Sequence, residues 1–208
     1  VSTGPRGEAR LVRDIFPGQN GSSIPWIYPV GDVVYFAAND GAHGLELWRS
    51  DGTEEGTWLV ADIEPSPRGS APSDVLALGD QIFFLATRNG DREMYVIAGP
   101  DRPARLLRDI NVGPGSAFDD EGFLAYIEVG GRLLFVADDG LSGRELWITD
   151  GTIRGTGRVA DLNPFGDSRG TFTDERRLGF ASMDRTVYLV GPSGHGPTLW
   201  STTCIGSF

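Results

Sequence analysis

The stretch Glu46-Leu47-Trp48-Arg49-Ser50-Asp51-Gly52-Thr53-Glu54-Glu55-Gly56-Thr57-Trp58-Leu59-Val60-Ala61-Asp62-Ile63 decides how this chain is read. Two β-prone runs flank a turn made of Asp, Gly and Thr, the residue types that close tight turns. The stretch then returns at Glu145 to Leu162 with the same Glu-Leu-Trp, Asp-Gly-Thr and Val-Ala-Asp landmarks in the same order. Weaker copies fall between and after. Leu11-Val12-Arg13-Asp14-Ile15, Leu59-Val60-Ala61-Asp62-Ile63, Leu106-Leu107-Arg108-Asp109-Ile110 and Arg158-Val159-Ala160-Asp161-Leu162 are one motif, with its aspartates 48, 47 and 52 residues apart. Glu46-Leu47-Trp48, Glu93-Met94-Tyr95, Glu145-Leu146-Trp147 and Thr198-Leu199-Trp200 keep the same phase. A period of about fifty residues, met four times, marks a repeat architecture.

Each unit reads as four short strands. The first runs Trp26 to Val30, a Gly31-Asp32 turn, Val33 to Ala37, a Gly-rich loop, Leu45 to Arg49, and Thr57 to Ile63. The second has Val75 to Leu78, Gln81 to Ala86, Glu93 to Ile97 and Ala104 to Ile110; the third has Phe123 to Val129, Arg132 to Ala137, Glu145 to Thr149 and Gly157 to Leu162. Two-residue Gly turns between β-branched and aromatic runs are hairpin signals, and four-stranded units repeated in series read as propeller blades. The fourth unit offers Arg177 to Ala181, Thr186 to Val190 and Leu199 to Thr202, then lacks its last strand, which stands instead at Ala9 to Ile15. The expectation is an all-β, four-bladed β-propeller over residues 1–208, with units at 16–63, 64–110, 111–162 and 163–208, the last completed by 9–15. A segment of a longer array, or two chains joined in a larger ring, are the alternatives.

Composition bounds the function. The chain has 208 residues, 30 Gly, 13 Pro, 39% hydrophobic residues and a net charge of −11. All 18 basic residues are Arg, against 29 acids, which disfavours a protein that tracks nucleic-acid phosphates. No apolar run reaches the roughly 18–20 residues of a membrane-spanning helix. One cysteine, Cys204, excludes an internal disulfide framework, and no histidine stands near it at catalytic spacing. The first residue is Val1, and any signal peptide is expected to have preceded it.

Glu46 to Ile63 and Glu145 to Leu162 resemble the bacterial ELWxxDGT repeat family, and with the weaker copies the resemblance covers nearly the whole chain. It implies a repeat β-architecture in a secreted or surface-attached bacterial protein, and no defined activity. The Ser50-Asp51-Gly52-Thr53 turn also looks like the Asp-box hairpin of sialidase-type propellers. Asp51, Gly52 and Thr53, and Asp150, Gly151 and Thr152, are accordingly read as structural: carboxylates accepting from their own turn, glycines supplying positive φ, hydroxyls closing the loop. The second and fourth units depart from it, with Ala98-Gly99-Pro100 and Thr203-Cys204-Ile205.

A propeller places the links between blades and the loops between second and third strands on one face, and the Asp-Gly-Thr turns on the other. The ligand-facing loops would carry Asp40, His43, Asp138, Asp139 and His195. The two histidines stand at matching positions, five residues before Trp48 and Trp200. Asp40, His43 and His195 are the metal candidates, although two histidines fall short of a usual zinc set. Calcium is a cofactor candidate at Asn39-Asp40-Gly41 and Asp138-Asp139-Gly140, competing with plain Asx-turn chemistry, since neither loop has EF-hand spacing. Asp14, Asp62, Asp109 and Asp161, recurring at the end of each outer strand, are expected to link blades by a hydrogen bond or ion pair. The resulting reading is a non-catalytic recognition module for an extracellular glycan, peptide or partner protein. A glycan hydrolase or lyase at the channel mouth, and a self-assembling homo-oligomeric repeat, are the alternatives.

Overall fold

A computed structural model describes residues 9–18, 20–99, 102–119, 124–160, 180–184, 186–191 and 198–203. The chain divides into two compact units, Val1–Gly69 and Ser70–Phe208. All regular structure among the described residues is β, and no helix is long and apolar enough to cross a membrane.

The first unit holds β1 (Ile27–Val30), β2 (Val33–Asn39), β3 (Leu45–Ser50) and β4 (Trp58–Ala61), paired antiparallel in chain order. Val30 pairs with Val33 across the Gly31-Asp32 turn, and Gly31 takes a φ of +56° that this tight reversal requires. The sheet therefore folds as a meander whose neighbours in sequence are neighbours in space. The central strands are apolar on both faces: Ala37, Ala38 and Leu47 are wholly buried, and Phe36, Ala38 and Trp48 form a cluster covered by Ile15, Val34 and Leu59.

The second unit repeats the meander. It holds β5 (Ser73–Leu78), β6 (Gln81–Arg88), β7 (Asp91–Ile97) and β8 (Ala104–Leu106); then β9 (Tyr126–Val129), β10 (Arg132–Asp138), β11 (Arg144–Thr149) and β12 (Gly157–Ala160); then β13 (Phe180–Met183), β14 (Thr186–Gly191) and β15 (Thr198–Thr202). A core of Leu76, Phe83, Leu85, Met94, Val96, Leu107, Leu133, Phe135 and Trp147 joins the β5–β8 sheet to the β9–β12 sheet. Leu134, Leu146 and Ile148 on the far face of the latter meet Val187 and Leu189 of the third. Successive sheets thus pack face to face in chain order. A bulge sits between Leu47 and Trp48 and again between Leu146 and Trp147, and β4 ends at Ala61, short of the Ile63 that the sequence pattern predicts.

Two expectations are corrected. Residues 9–15 form no strand, and among the described residues the last sheet has three strands. Side chains, not a ladder, hold this segment: Arg10 donates to the Gly52 carbonyl at 3.2 Å, Arg13 donates to the Thr57 carbonyl and lies 6.0 Å over the Trp48 ring, and Ile15 joins the core. The same contacts recur in the second unit. Arg105 donates to the Gly151 carbonyl and Arg108 to the Thr156 carbonyl, each at 2.6 Å, with Arg108 6.0 Å over Trp147. The second correction concerns the repeated aspartates. Asp14, Asp62 and Asp109 are exposed, and among the described residues none of them makes the expected linking hydrogen bond or ion pair; Asp161 lies outside the described residues. The link falls one residue earlier, to Arg13 and Arg108. Their side chains reach the turn of the following sheet.

Candidate functional site

The links between sheets run beside the loops joining second and third strands, which defines one loop face in each unit. In the first, the Leu45 N–H donates to the Arg68 carbonyl at 3.2 Å. In the second, Ala117 N–H donates to Arg92 and Asp138 N–H to Ala117, at 3.1 and 3.0 Å. The Asp-Gly-Thr turns stand at the opposite strand ends.

Asp40 organises the first loop. Its Oδ1 accepts from the N–H groups of Ala42 and His43, each at 2.9 Å, and its Oδ2 accepts from His43 Nδ1–H at 2.7 Å. Burial pushes the Asp40 carboxyl up, but these donors outweigh it and leave its pKa below the ordinary value. His43 responds in the opposite sense: its bond to Asp40 raises its pKa, against a smaller effect of burial. The result is an oriented, half-exposed imidazole with Nε2 turned away from its carboxylate. Ligation of one metal through both groups would break the 2.7 Å bond that joins them. His195, its proposed counterpart, and Cys204 lie outside the described residues.

Asp138 and Asp139 build the matching loop of the second unit. Asp138 Oδ1 accepts from Gly140 N–H at 2.7 Å; Asp139 Oδ1 accepts from Leu141 and Ser142 N–H at 2.9 and 2.6 Å. Arg158 lies 3.7 Å from Asp139 Oδ2 and donates to Ser142 Oγ at 2.6 Å. Burial raises the Asp139 pKa and the turn N–H groups with Arg158 more than reverse it, so it is lowered on balance. These donors hold both carboxylates as parts of the turn. Leu141, at the tip, is 94% exposed, and Val112 on the adjoining link is 82% exposed. Asn111 lies against Gly140, where an added Cβ would come within 2.3 Å of its Oδ1, so link and loop are in close contact.

On the opposite face, Asp51 and Asp150 accept from the N–H and hydroxyl of Thr53 and Thr152 at 2.7–2.9 Å. The threonine hydroxyls accept in turn from Gly56 and Gly155 N–H. Gly52 and Gly151 adopt φ of +88° and +85°. The threonine donors lower the pKa of both aspartates. One oxygen of each carboxylate is thus engaged inside its own turn.

A cluster that the repeat pattern did not single out lies in the second unit. Asp91, Glu93 and Asp109 each bring a carboxylate oxygen within 4.8 Å of the others. Asp91 and Glu93 are two apart on β7 and share a face; Asp109 follows β8. Glu93 is 1% exposed, and burial, with Asp91 and Asp109 adding to it, pushes its pKa up to about 8 against the N–H groups it accepts from. Burial and Asp109 raise Asp91 too. One sequence signal was present. The position two before the strand glutamate is glycine in the other units, Gly44, Gly143 and Gly196 at the matching place in the fourth, and only the second unit carries an acid there.

No family model matches the chain, and no curated protein is similar to it. Among solved structures it is similar to a puromycin hydrolase (16% identity, 86% of this chain and 27% of that one, TM-score 0.49). It is also similar to a puromycin-hydrolyzing peptidase of Mycobacterium tuberculosis (12%, 88% and 28%, 0.46). A third is an α-L-arabinofuranosidase of Clostridium thermocellum (16%, 86% and 65%, 0.38). The chain spans little more than a quarter of the length of the first two. At these scores the likenesses carry no argument about chemistry.

Proposed function

We propose that this chain is a non-catalytic recognition module, secreted or displayed at the cell surface, that meets a peptide or partner protein through its loop face. The observation that carries the reading is Leu141, 94% exposed on a turn whose backbone Asp139 pins at two consecutive N–H groups. A large apolar side chain held in water on a rigid loop gains most when a partner buries it, and the turn is already ordered. Val112 extends the apolar spot, and the Arg144–Asp119 and Arg158–Asp139 pairs give it a polar rim. A glycan would call for an aromatic platform, which the two loops do not offer. The carboxylates of Asp40, Asp138 and Asp139 serve turn geometry. The test is to probe the immobilised chain against peptide and glycan arrays, with Leu141→Asp and Val112→Asp alongside. Peptide hits lost in both variants, with unchanged melting, support the reading; glycan hits indifferent to both overturn it.

The Asp40–His43 pair favours a second reading, hydrolysis of a glycan or peptide with His43 as general base oriented by Asp40. Turnover abolished in His43→Ala would establish it. We infer a ring of four blades of the ELWxxDGT type in which residues 9–15 take the place of an outer strand through side-chain contacts rather than a ladder. What supports it is the match of Arg10 and Arg13 with Arg105 and Arg108, which gives residues 9–15 the contacts of an outer strand. A single closed ring predicts a radius of gyration of about 17 Å by scattering. A much larger value, or a stable dimer, would favour the open array or self-assembly instead.

A further inference from the structure

We propose that Asp91, Glu93 and Asp109 form a calcium-binding site. Among the described residues this is the one group of three acids whose ligand atoms converge within 4.8 Å. That is about the widest separation two oxygens can have on one Ca²⁺ at roughly 2.4 Å from each. Convergence of acids alone would be weak ground. The second observation is that two of the oxygens are buried and lack any hydrogen-bond donor.

Glu93 Oε1 accepts from the N–H groups of Ile110 and Asn111 at 3.3 and 3.1 Å, which fixes the carboxylate plane and leaves Oε2 without those donors. Oε2 is buried without a hydrogen-bond partner, and so is Asp91 Oδ1. Buried acceptors in this state cost free energy unless a cation or proton meets them. No described arginine does so. The adjacent Arg92 points to the other face of β7, where it donates to the Ala71 carbonyl, Thr87 Oγ1 and Ser73 Oγ. None of the three carboxylates takes part in an ion pair with a described residue.

Chemistry selects the ion. The donors are all hard oxygens, which excludes a preference for zinc or copper. Two of them are set by strand geometry two residues apart, and the flexible coordination of Ca²⁺ at 2.3–2.6 Å tolerates such positions better than the strict octahedron of Mg²⁺. Asp109 is exposed and Asp91 half-buried, which leaves an open side for entry and for the waters that complete six to eight ligands. The site is specific to the second unit. In the first, the position of Asp91 is Gly44, where an added Cβ would fall 2.3 Å from the backbone nitrogen of Gly69.

The experiment is calorimetric titration of the full chain with CaCl₂ after chelator treatment, with thermal melts in calcium and in chelator. Wild type is expected to take up one ion with a Kd on the order of 10⁻⁴ M and to melt higher in calcium. Asp91→Gly, the residue of the other units, should weaken binding by about tenfold or more, and Asp91→Asn should do the same if the glycine variant does not fold. The Asp40→Asn, Asp139→Asn double variant should bind as wild type does. No heat and no melting shift in wild type overturns the proposal. So does undiminished binding in the Asp91 variants, or loss of binding in the Asp40/Asp139 variant. A Glu93→Gln chain that melts higher than wild type while wild type ignores calcium also overturns it, since the buried carboxyl would then be held by a proton alone.

Discussion

Removing the guanidinium of Arg108 tests the link between successive sheets. Arg108 sits at the end of the second outer segment and reaches the next sheet, where it donates to the Thr156 carbonyl at 2.6 Å and covers Trp147 at 6.0 Å. A hydrogen bond from a charged donor is worth about 1.5 kcal/mol at the low end of its range, which suits an exposed side chain. The cation–π contact at this distance adds about 0.5 kcal/mol. Arg108→Ala should therefore cost about 2 kcal/mol. For a chain of this size that is about 4–8 °C in Tm. Arg108→Lys should recover only part of it, because an ammonium keeps the charge but loses the planar fork that stacks on the indole. Arg13→Ala, which removes the same pair of contacts in the first unit, should cost a similar amount. Circular dichroism melts read all three. A loss below about 1 °C in Arg108→Ala would refute the assignment of the link to this residue.

Gly155→Ala should destabilise by about 1–3 kcal/mol, because its Cβ would lie 2.1 Å from Asp150 Oδ1, whereas Gly157→Ala, with nothing within 4 Å, should melt near wild type. Equal melting of the two would show that the turn network is dispensable. Leu107→Ala, at a wholly buried position between the second and third sheets, should cost about 2–5 kcal/mol in urea titrations; less than 1 would mean those sheets do not share a core. The Asp40–His43 pair makes stability depend on pH. His43 has a raised folded pKa, so its contribution is full below the unfolded value of about 6.5 and is lost as pH rises through the folded one. Asp40 has a lowered pKa, so its contribution is present above about 3.9 and is lost as pH falls through the folded value. NMR titration of the His43 ring should give a higher midpoint in wild type than in Asp40→Asn, and coincident midpoints would break the pair.

Much of the strand pattern was legible because each meander is made of local signals. Gly31-Asp32 and Gly79-Asp80 turn between apolar runs, and the strands begin within a few residues of where those runs begin. The outer strands β4 and β8 end before Ile63 and Ile110, where the apolar pattern runs on, and the bulge beside Trp48 and Trp147 is a register event with no residue type to announce it. The linking aspartates were misjudged for a related reason. Repetition marks a position as constrained, but a carboxylate and its neighbouring arginine recur together, and which of them faces the next sheet depends on the direction each side chain takes. Arg13 and Arg108 occur in the two copies that precede a sheet bearing the full Asp-Gly-Thr turn, whereas Ala61 and Ala160 precede sheets that lack it. That pairing was visible in the letters and became meaningful once the carbonyls of Thr57 and Thr156 were seen as the acceptors.

Period, strand order within a sheet and turn chemistry follow from the order of residues, because hairpins are made between neighbours in the chain and need no distant partner. The convergence of Asp91, Glu93 and Asp109 is of another kind. Asp109 is separated from Glu93 by the rest of β7, a turn and β8, and only the folded sheet brings its oxygen beside the other two. Whether Glu93 is a solvated strand residue or a buried carboxylate short of a donor depends on the core that closes over it, and burial is a property of packing rather than of any local run of residues.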